Sequence, residues 1–181
     1  MGAITSKIPI PAQKPAVVAG ATLAAFVTTT IGAFAPVLSV CAAPGHCLTA
    51  TWWTKSEYGP TLFGRWMLLF AFFAALSAAI LASSTAWFPG KLNLPEKTPP
   101  AWVYAVANLA LNWIVVFNML FSTYVDHMSG TSQVFIWFTA TIFAPLAALL
   151  LKKQDEEGAD GGADAAAKAG DFSDAATAGA V

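Results

Sequence analysis

The sequence has very little charge for its length. Only 10% of its 181 residues are Asp, Glu, Lys or Arg, whereas 57% are hydrophobic, and the mean hydropathy is +0.62. A soluble domain carries about 25% charged residues, so this chain has too little charge to cover a surface that faces water. The composition excludes an ordinary soluble enzyme, and the sequence lacks the basic clusters with which proteins bind nucleic acid.

The few charges are unevenly distributed along the chain. Residues 1–151 contain six Lys or Arg and three Asp or Glu, whereas residues 152–181 contain three Lys and seven Asp or Glu. The net charge of −1 therefore combines a slightly basic body with an acidic tail. The tail is rich in Gly, Ala and Asp and has few large apolar side chains to offset the entropy of ordering, so we expect residues 152–181 to be disordered.

Cysteine is also scarce, since the chain contains only Cys41 and Cys47. Pro44 and Gly45 form a turn dipeptide between them, which favours a disulfide between the two cysteines. The alternatives are two unpaired cysteines, with Cys41 acylated near the membrane, or a metal site that includes His46. Zinc normally takes four ligands at recognised spacings, and the sequence offers no fourth, so we predict no metal site and no cofactor.

Four long stretches of the sequence carry no charge at all. They are residues 16–40, 66–88, 101–125 and 134–151. A bilayer core of about 30 Å requires roughly 20 helical residues, and a chain inside lipid must satisfy its backbone hydrogen bonds internally. The sequence predicts an all-α fold, an integral membrane four-helix bundle over residues 16–151, between an N-terminal segment (1–15) and the disordered tail. Pro36 and Pro145 fall inside these stretches and are expected to kink the helices.

The positions of the basic residues predict the orientation of the bundle. With four spans, both termini and residues 89–100 lie on the same side of the membrane. That side carries six cations near helix ends, against two on the side that holds residues 41–65. The positive-inside rule therefore predicts that both termini are cytoplasmic and that residues 41–65 form an outer loop. A cleaved signal peptide is the alternative for residues 16–40, but an apolar run of that length favours a retained helix.

Polar residues in the third stretch are the main candidates for chemistry inside the membrane. At 100° per residue, Asn108, Asn112 and Ser122 lie on one stripe, and Asn118 lies at its margin. Such a stripe favours hydrogen bonds between helices; the alternative is a polar lining for a pore. The four stretches contain no titratable Asp, Glu, Lys, Arg or His, so an ion-coupled transporter would lack its usual groups.

No pattern in the sequence indicates catalysis. The only candidate is Asp126-His127 with Ser129 nearby. Adjacency in sequence is not the geometry of a catalytic triad, and the chain has no nucleophile elbow or phosphate-binding glycine loop. We therefore interpret these residues as a solvated turn and expect a protein that is not an enzyme.

The N-terminus carries a lipidation motif. Gly2 follows the initiator Met, and Ser6 lies four residues further on, which matches the pattern for myristoylation of Gly2. A single acyl chain adds little anchoring to four helices. We expect it instead to hold the N-terminal segment against the inner leaflet or to act in sorting.

The outer loop contains a short aromatic motif. Cys47-Leu48-Thr49 is followed by Trp52-Trp53 and then by Lys55. Together with four spans and cytoplasmic termini, this loop resembles those of tetraspan surface proteins of the claudin and MARVEL type, and within that group it is most similar to the amastins of parasitic protozoa. The second cysteine of this chain, Cys41, lies upstream of the motif rather than downstream.

The resemblance implies a non-enzymatic plasma-membrane protein that organises membrane or surface contacts, with Trp52, Trp53 and Lys55 as the contact residues of the outer loop. An accessory or assembly subunit of a larger membrane complex is the second hypothesis, and a small-solute channel or transporter is the third. The expected partners are the lipid bilayer and lateral membrane proteins or further copies of the chain.

Overall fold

A computed structural model describes residues 14–43, 46–53, 62–88, 98–121 and 130–158. The elements in chain order are α1 (Pro15–Phe34), β1 (Pro36–Ala43), β2 (His46–Thr51), α2 (Leu62–Trp87), α3 (Ala101–Leu120) and α4 (Thr131–Gly158). Each of the four helices is long and apolar enough to cross a membrane, with mean hydropathies between 1.7 and 2.2 over the most apolar window. The prediction of four helices with the length and composition of membrane spans is confirmed.

The helices form an up-and-down bundle in which α1 and α3 each pack against α2 and α4. At one end a buried cluster joins the last turns of α1 and α3 to the first turns of α2 and α4, through Ala33, Leu68, Met119 and Ile136. At the opposite end a second cluster contains Val18, Ala82, Ala105 and Leu151. We call the first the hairpin end, because β1 and β2 lie there, and the second the terminal end, because α1 begins and α4 ends there.

Small side chains fill much of the interface between the helices. On α2 the buried side includes Ala71, Ala75, Ala78, Ala79 and Ala82. Alanine lets helix backbones approach closely, which favours association in a medium as apolar as the side chains themselves. The large aromatic side chains of the same helix face outward, since Phe70 and Phe73 are each about half exposed. This apolar outer surface implies contact with a lipid bilayer.

The first helix is shorter than predicted, and a β-hairpin follows it. α1 ends at Phe34 rather than at residue 40, because Pro36 has no N–H to continue the helix and drives the preceding residue out of the α region. Ala35 accordingly has φ −70° and ψ 161°, which is extended. Pro36 therefore ends the helix instead of kinking it, and the chain continues as β1, which pairs with β2 in an antiparallel sheet. The all-α description holds for the bundle but omits this hairpin.

The other helix boundaries also differ from the predicted ones. α2 begins at Leu62 rather than at residue 66, so that Arg65 lies in its first turn. α3 begins at Ala101 as predicted and ends at Leu120, and residues 122–125 of the predicted stretch lie outside the described residues.

The fourth helix contains a π-helical turn and is longer than predicted. The π-helical turn spans Thr139–Phe143, just before Pro145. Because a proline has no N–H to donate to the preceding turn, the wider turn is a local adjustment that lets the helix continue past it. α4 begins at Thr131 and ends at Gly158, so the start of the acidic tail is helical rather than disordered. Ion pairs between side chains one turn apart stabilise this last part of α4; in one of them Nζ of Lys152 lies 3.9 Å from Oε1 of Glu156.

Candidate functional site: the hairpin end of the bundle

The hairpin places the two cysteines of the chain opposite each other. In the antiparallel register Cys41 pairs with Cys47, next to the pair formed by Val40 and Leu48. Residues directly opposite in such a ladder have Cα atoms about 4.5–5.5 Å apart, which falls inside the range of about 4.4–6.8 Å that a disulfide requires. This is a property of the backbone; the two cysteine side chains and the turn residues 44 and 45 lie outside the described part.

The end of α1 depends on donors from other parts of the chain. In a regular α-helix the carbonyl of Gly32 would accept a hydrogen bond from the N–H of residue 36, but residue 36 is proline. The hydroxyl of Ser132, on the first turn of α4, donates to this carbonyl instead. The indole N–H of Trp53 donates to the next carbonyl, that of Ala33, at 2.8 Å. Side chains from α4 and from the end of the hairpin thus satisfy the last carbonyls of α1.

Trp52 extends this hydrogen-bond chain into the hairpin. Its side chain is completely buried, and its indole Nε1 donates to the Ser132 hydroxyl at 2.7 Å. Ser132 is also fully buried and is at the same time a donor to Gly32. The three residues therefore connect the hairpin, α4 and α1 through two buried hydrogen bonds. An indole buried among apolar side chains is stable only when its N–H has such a partner.

Two glycines allow these elements to approach. The N–H of Gly130 donates to the Val37 carbonyl of β1 at 2.9 Å. A Cβ at Gly130 would overlap backbone atoms of Pro36 and Val37, which cannot move without displacing the strand. At Gly32 a Cβ would lie 2.8 Å from Cγ1 of Ile136 on α4. We call Gly32, Trp52, Gly130 and Ser132 the hairpin anchor.

The residues predicted to make outer contacts occupy different environments. Trp52 is buried in the anchor, so a partner that approaches from outside does not reach it in this conformation. Trp53 is 38% exposed, and its ring centroid lies 6.1 Å from that of Phe34. Lys55 lies outside the described residues. Of the two tryptophans, Trp53 therefore offers the accessible surface.

No pattern in the sequence indicated the other three members of the anchor, Gly32, Gly130 and Ser132. Gly32 lies four residues before Pro36, the spacing at which a helix carbonyl loses its backbone donor. Gly130 and Ser132 lie at the boundary between a short loop and a span. Composition identifies these positions as a loop boundary, but not as the place where β1 and α4 make contact.

The asparagine stripe of α3 lies inside the bundle. Asn108 and Asn112 are 1% and 0% exposed, and Nδ2 of Asn112 donates to Oδ1 of Asn108 at 2.7 Å. The hydroxyl of Thr29 on α1 lies 3.4 Å from the same oxygen, which links two helices through polar groups. Asn118 is half-buried, and Ser122 lies outside the described residues. Of the four polar residues, Asn108 and Asn112 therefore lie in the packed interior of the bundle.

One atom of this stripe has no partner in the described part of the chain. Oδ1 of Asn112 is buried and accepts no hydrogen bond from any described residue. A buried amide oxygen without a donor destabilises the fold by about 1–3 kcal/mol. Because of this unsatisfied oxygen, Asn112 contributes less to the stability of the bundle than Asn108 does.

The remaining candidate residues from the sequence lie outside the described part of the chain. Gly2 is among them, as are the residues from Asp126 to Ser129. Among the side chains that the structure describes, no group of three or more His, Cys, Asp or Glu is placed to hold a metal ion.

A comparison with known proteins identifies no relative of this chain. No protein-family model, no curated protein and no solved structure matches it. Its function is therefore inferred from its own residues and geometry.

Proposed function

We propose that this protein is a tetraspan membrane protein that organises membrane or surface contacts through its hairpin and without catalysis. The observation that carries the proposal is the hairpin anchor, in which two buried hydrogen bonds connect Trp52, Ser132 and Gly32. These buried polar contacts and two closely packed glycines, Gly32 and Gly130, hold the hairpin against the bundle.

A rigidly held hairpin suits a contact function. Binding by a mobile loop costs about 0.5–1.5 kcal/mol for each side chain that becomes ordered, and a surface that is ordered beforehand avoids much of this cost. Trp53 gives the surface an exposed aromatic ring at its edge. Tryptophan is enriched among the residues that contribute most to protein interfaces.

The proposal includes an orientation. The excess of Lys in the segments on the side of the terminal end supports cytoplasmic termini and an outer hairpin. The plasma membrane is the location that the resemblance to tetraspan surface proteins implies. On the outer side an oxidising environment would allow a disulfide between Cys41 and Cys47 to persist. On the inner side Gly2 would be available for acylation.

A photo-crosslinking amino acid at residue 53 tests the contact function. The full-length chain is expressed in cells with the crosslinker at Trp53 or, as a matched control, at Phe73 in the middle of α2, which is also exposed. We expect protein adducts from residue 53 and mainly lipid adducts from residue 73. Adducts to protein that are no more frequent at residue 53 than at residue 73 would overturn the proposal, provided that both variants unfold at the wild-type temperature.

An accessory subunit of a larger membrane complex is the second candidate, and one feature of α3 favours it. The rings of Phe117 and Phe121 are stacked with centroids 6.4 Å apart, and the two side chains are 51% and 83% exposed. An outward pair of aromatic rings suits a lateral partner. Purification in mild detergent distinguishes the candidates, because a subunit brings a stoichiometric partner that is lost on Phe117→Ala.

A further inference from the structure

The terminal end of the bundle contains a cleft that no part of the proposed function uses. It has a volume of about 550 Å³ and lies between the end of α2, the start of α3 and the end of α4. This volume falls within the range of about 300–1,000 Å³ that is typical of small-ligand pockets. The cleft lies at the opposite end of the bundle from the hairpin anchor.

The walls of the cleft are divided into an apolar part and a polar part. The apolar part is formed by Leu81, Ala82 and Leu151, of which Ala82 and Leu151 belong to the buried cluster at the terminal end. The polar part includes Thr85, Gln154 and Asp155. A ligand that fits both parts is amphiphilic, with a hydrocarbon portion toward the bundle and a polar group toward the aqueous side.

The charge in the cleft selects the polar group. Asp155 accepts a hydrogen bond from the indole Nε1 of Trp102 at 3.2 Å. The two ion pairs found among the described residues join Lys152 to Glu156 and Lys153 to Glu157, so neither of them neutralises Asp155. The cleft therefore presents a carboxylate whose described partner is a neutral indole, and an aromatic ring lies beside it. A carboxylate next to a tryptophan ring is suited to an organic cation.

The position of the cleft along the bundle indicates that the hydrocarbon portion of the ligand is a lipid acyl chain. Trp87 lies at the end of α2 and Trp102 at the start of α3, and the two lysines of α4, Lys152 and Lys153, follow Leu151 in the wall of the cleft. Tryptophan and lysine at the ends of spans are typical of the headgroup region of a bilayer. An amphiphile at this level has its acyl chains in the membrane and its headgroup at Asp155.

We propose that this cleft binds a phospholipid whose headgroup carries a cationic amine, with the amine at Asp155 and Trp102 and the acyl chains along α2 and α4. The site is independent of the outer hairpin. It would hold one lipid against the seam between three helices at the terminal end.

Lipid binding to the purified full-length chain tests this proposal. The protein is stripped of lipid in detergent and titrated with phosphatidylethanolamine, phosphatidylcholine or phosphatidylglycerol of identical acyl chains, and bound lipid is counted by native mass spectrometry. We expect phosphatidylethanolamine and phosphatidylcholine, whose headgroups both carry a cationic nitrogen, to bind more tightly than phosphatidylglycerol. We expect D155N to weaken amine-lipid binding by about tenfold, the effect of losing one charge-assisted contact.

E156Q is the matched control, since Glu156 is on the same turn but pairs with Lys152. It should bind lipid as the wild type does. Asp155 is exposed, so D155N should fold normally, and its unfolding temperature verifies this. Equal affinity for phosphatidylglycerol, equal binding by D155N and E156Q, or the absence of any bound lipid on the wild type would each overturn the proposal.

Discussion

Individual residues at the hairpin end explain how the hairpin is held. The carbonyl of Gly32 loses its helical donor because residue 36 is proline, and Ser132 replaces that donor. Ser132 in turn accepts the only hydrogen that the Trp52 indole can donate. Each of these groups is buried, so each would be costly to leave without a partner.

Substitution of Gly130 tests the close approach between the start of α4 and β1. Gly130→Ala places a Cβ against the backbone of Pro36 and Val37, so we expect a loss of about 2–4 kcal/mol in the free energy of unfolding, the cost of forced overpacking. Thermal unfolding in detergent, followed by tryptophan fluorescence, measures it.

Gly20→Ala is the matched control for this substitution. A Cβ at Gly20 meets nothing within 4 Å, and alanine is favoured over glycine inside a helix by up to about 1 kcal/mol. This variant should be as stable as the wild type or slightly more stable. Similar unfolding temperatures for the two variants would refute the assigned role of Gly130.

Removal of the Ser132 hydroxyl tests the hydrogen-bond chain. Ser132→Ala leaves the Trp52 N–H and the Gly32 carbonyl without a partner, and we expect a loss of about 2–4 kcal/mol, since each buried orphan group costs about 1–3 kcal/mol. Ser84→Ala is the control, because the Ser84 hydroxyl donates only to a carbonyl of its own helix, that of Leu81; it should change stability by less than about 0.5 kcal/mol.

A double-mutant cycle identifies the partner of Ser132. If Trp52 and Ser132 act together, the double variant Trp52→Phe/Ser132→Ala loses less stability than the sum of the single variants, because no unsatisfied indole N–H remains. Additive losses would mean that the two side chains are not coupled.

At the scale of elements, the sequence predicted the existence of the helices better than their ends. An uncharged run of about 20 residues has few alternatives to a helix in a bilayer, and each of the four runs contains one of the helices α1 to α4. Residues 36–40 are as apolar as the helix before them, and hydrophobicity alone does not distinguish a helix from a buried strand. Pro36 and the turn dipeptide 44–45 were the signals that a strand begins there.

The other element-scale differences have local causes. The π-helical turn in α4 depends on the geometry around Pro145, which composition does not encode. The extension of α4 to Gly158 depends on Lys and Glu at a spacing of four residues, a helical pattern inside a segment that its composition marks as disordered. The burial of Trp52 could not be predicted either, because Trp52 and Trp53 are adjacent and equally apolar.

The hairpin register leads to a prediction about the cysteines. Cys41 and Cys47 should form a disulfide in protein from an oxidising compartment, because their backbones are paired. Alkylation under denaturing, non-reducing conditions should leave both unmodified, whereas alkylation after reduction should add two groups. Complete alkylation without reduction would show that the hairpin carries free thiols.

The buried asparagines lead to a prediction about α3. Asn112→Leu removes an oxygen that no described residue satisfies together with one donor to Oδ1 of Asn108, an oxygen that still accepts from the Thr29 hydroxyl. Asn108→Leu removes this acceptor and leaves the unsatisfied oxygen of Asn112 in place. Asn108→Leu should therefore be more destabilising than Asn112→Leu, by about 1 kcal/mol, in thermal unfolding. If the wild type carries a solute flux in proteoliposomes and either variant abolishes that flux, the result would instead support the channel hypothesis.

At the scale of the whole molecule, charge and packing divide the protein into two ends. The hairpin end holds a buried apolar cluster and the anchor, and the terminal end holds Lys14, Lys152 and Lys153, the cleft and the helical start of the acidic tail. The positions of the lysines predict an orientation from the sequence alone, because the rule depends only on charge near span ends. The anchor could not be predicted in the same way, since it consists of contacts between residues 80 to 100 positions apart.

Residue-specific labelling in intact cells tests the central claim, a four-span bundle with the hairpin outside and the termini inside. An impermeant maleimide is applied, after mild reduction, to the wild type and to a variant in which both native cysteines are serine and Gly158, where a Cβ meets nothing within 4 Å, is cysteine. The account predicts that the wild type is labelled in intact cells and that Gly158→Cys is labelled only after permeabilisation. Labelling of both proteins in intact cells, or of Gly158→Cys alone, would contradict it.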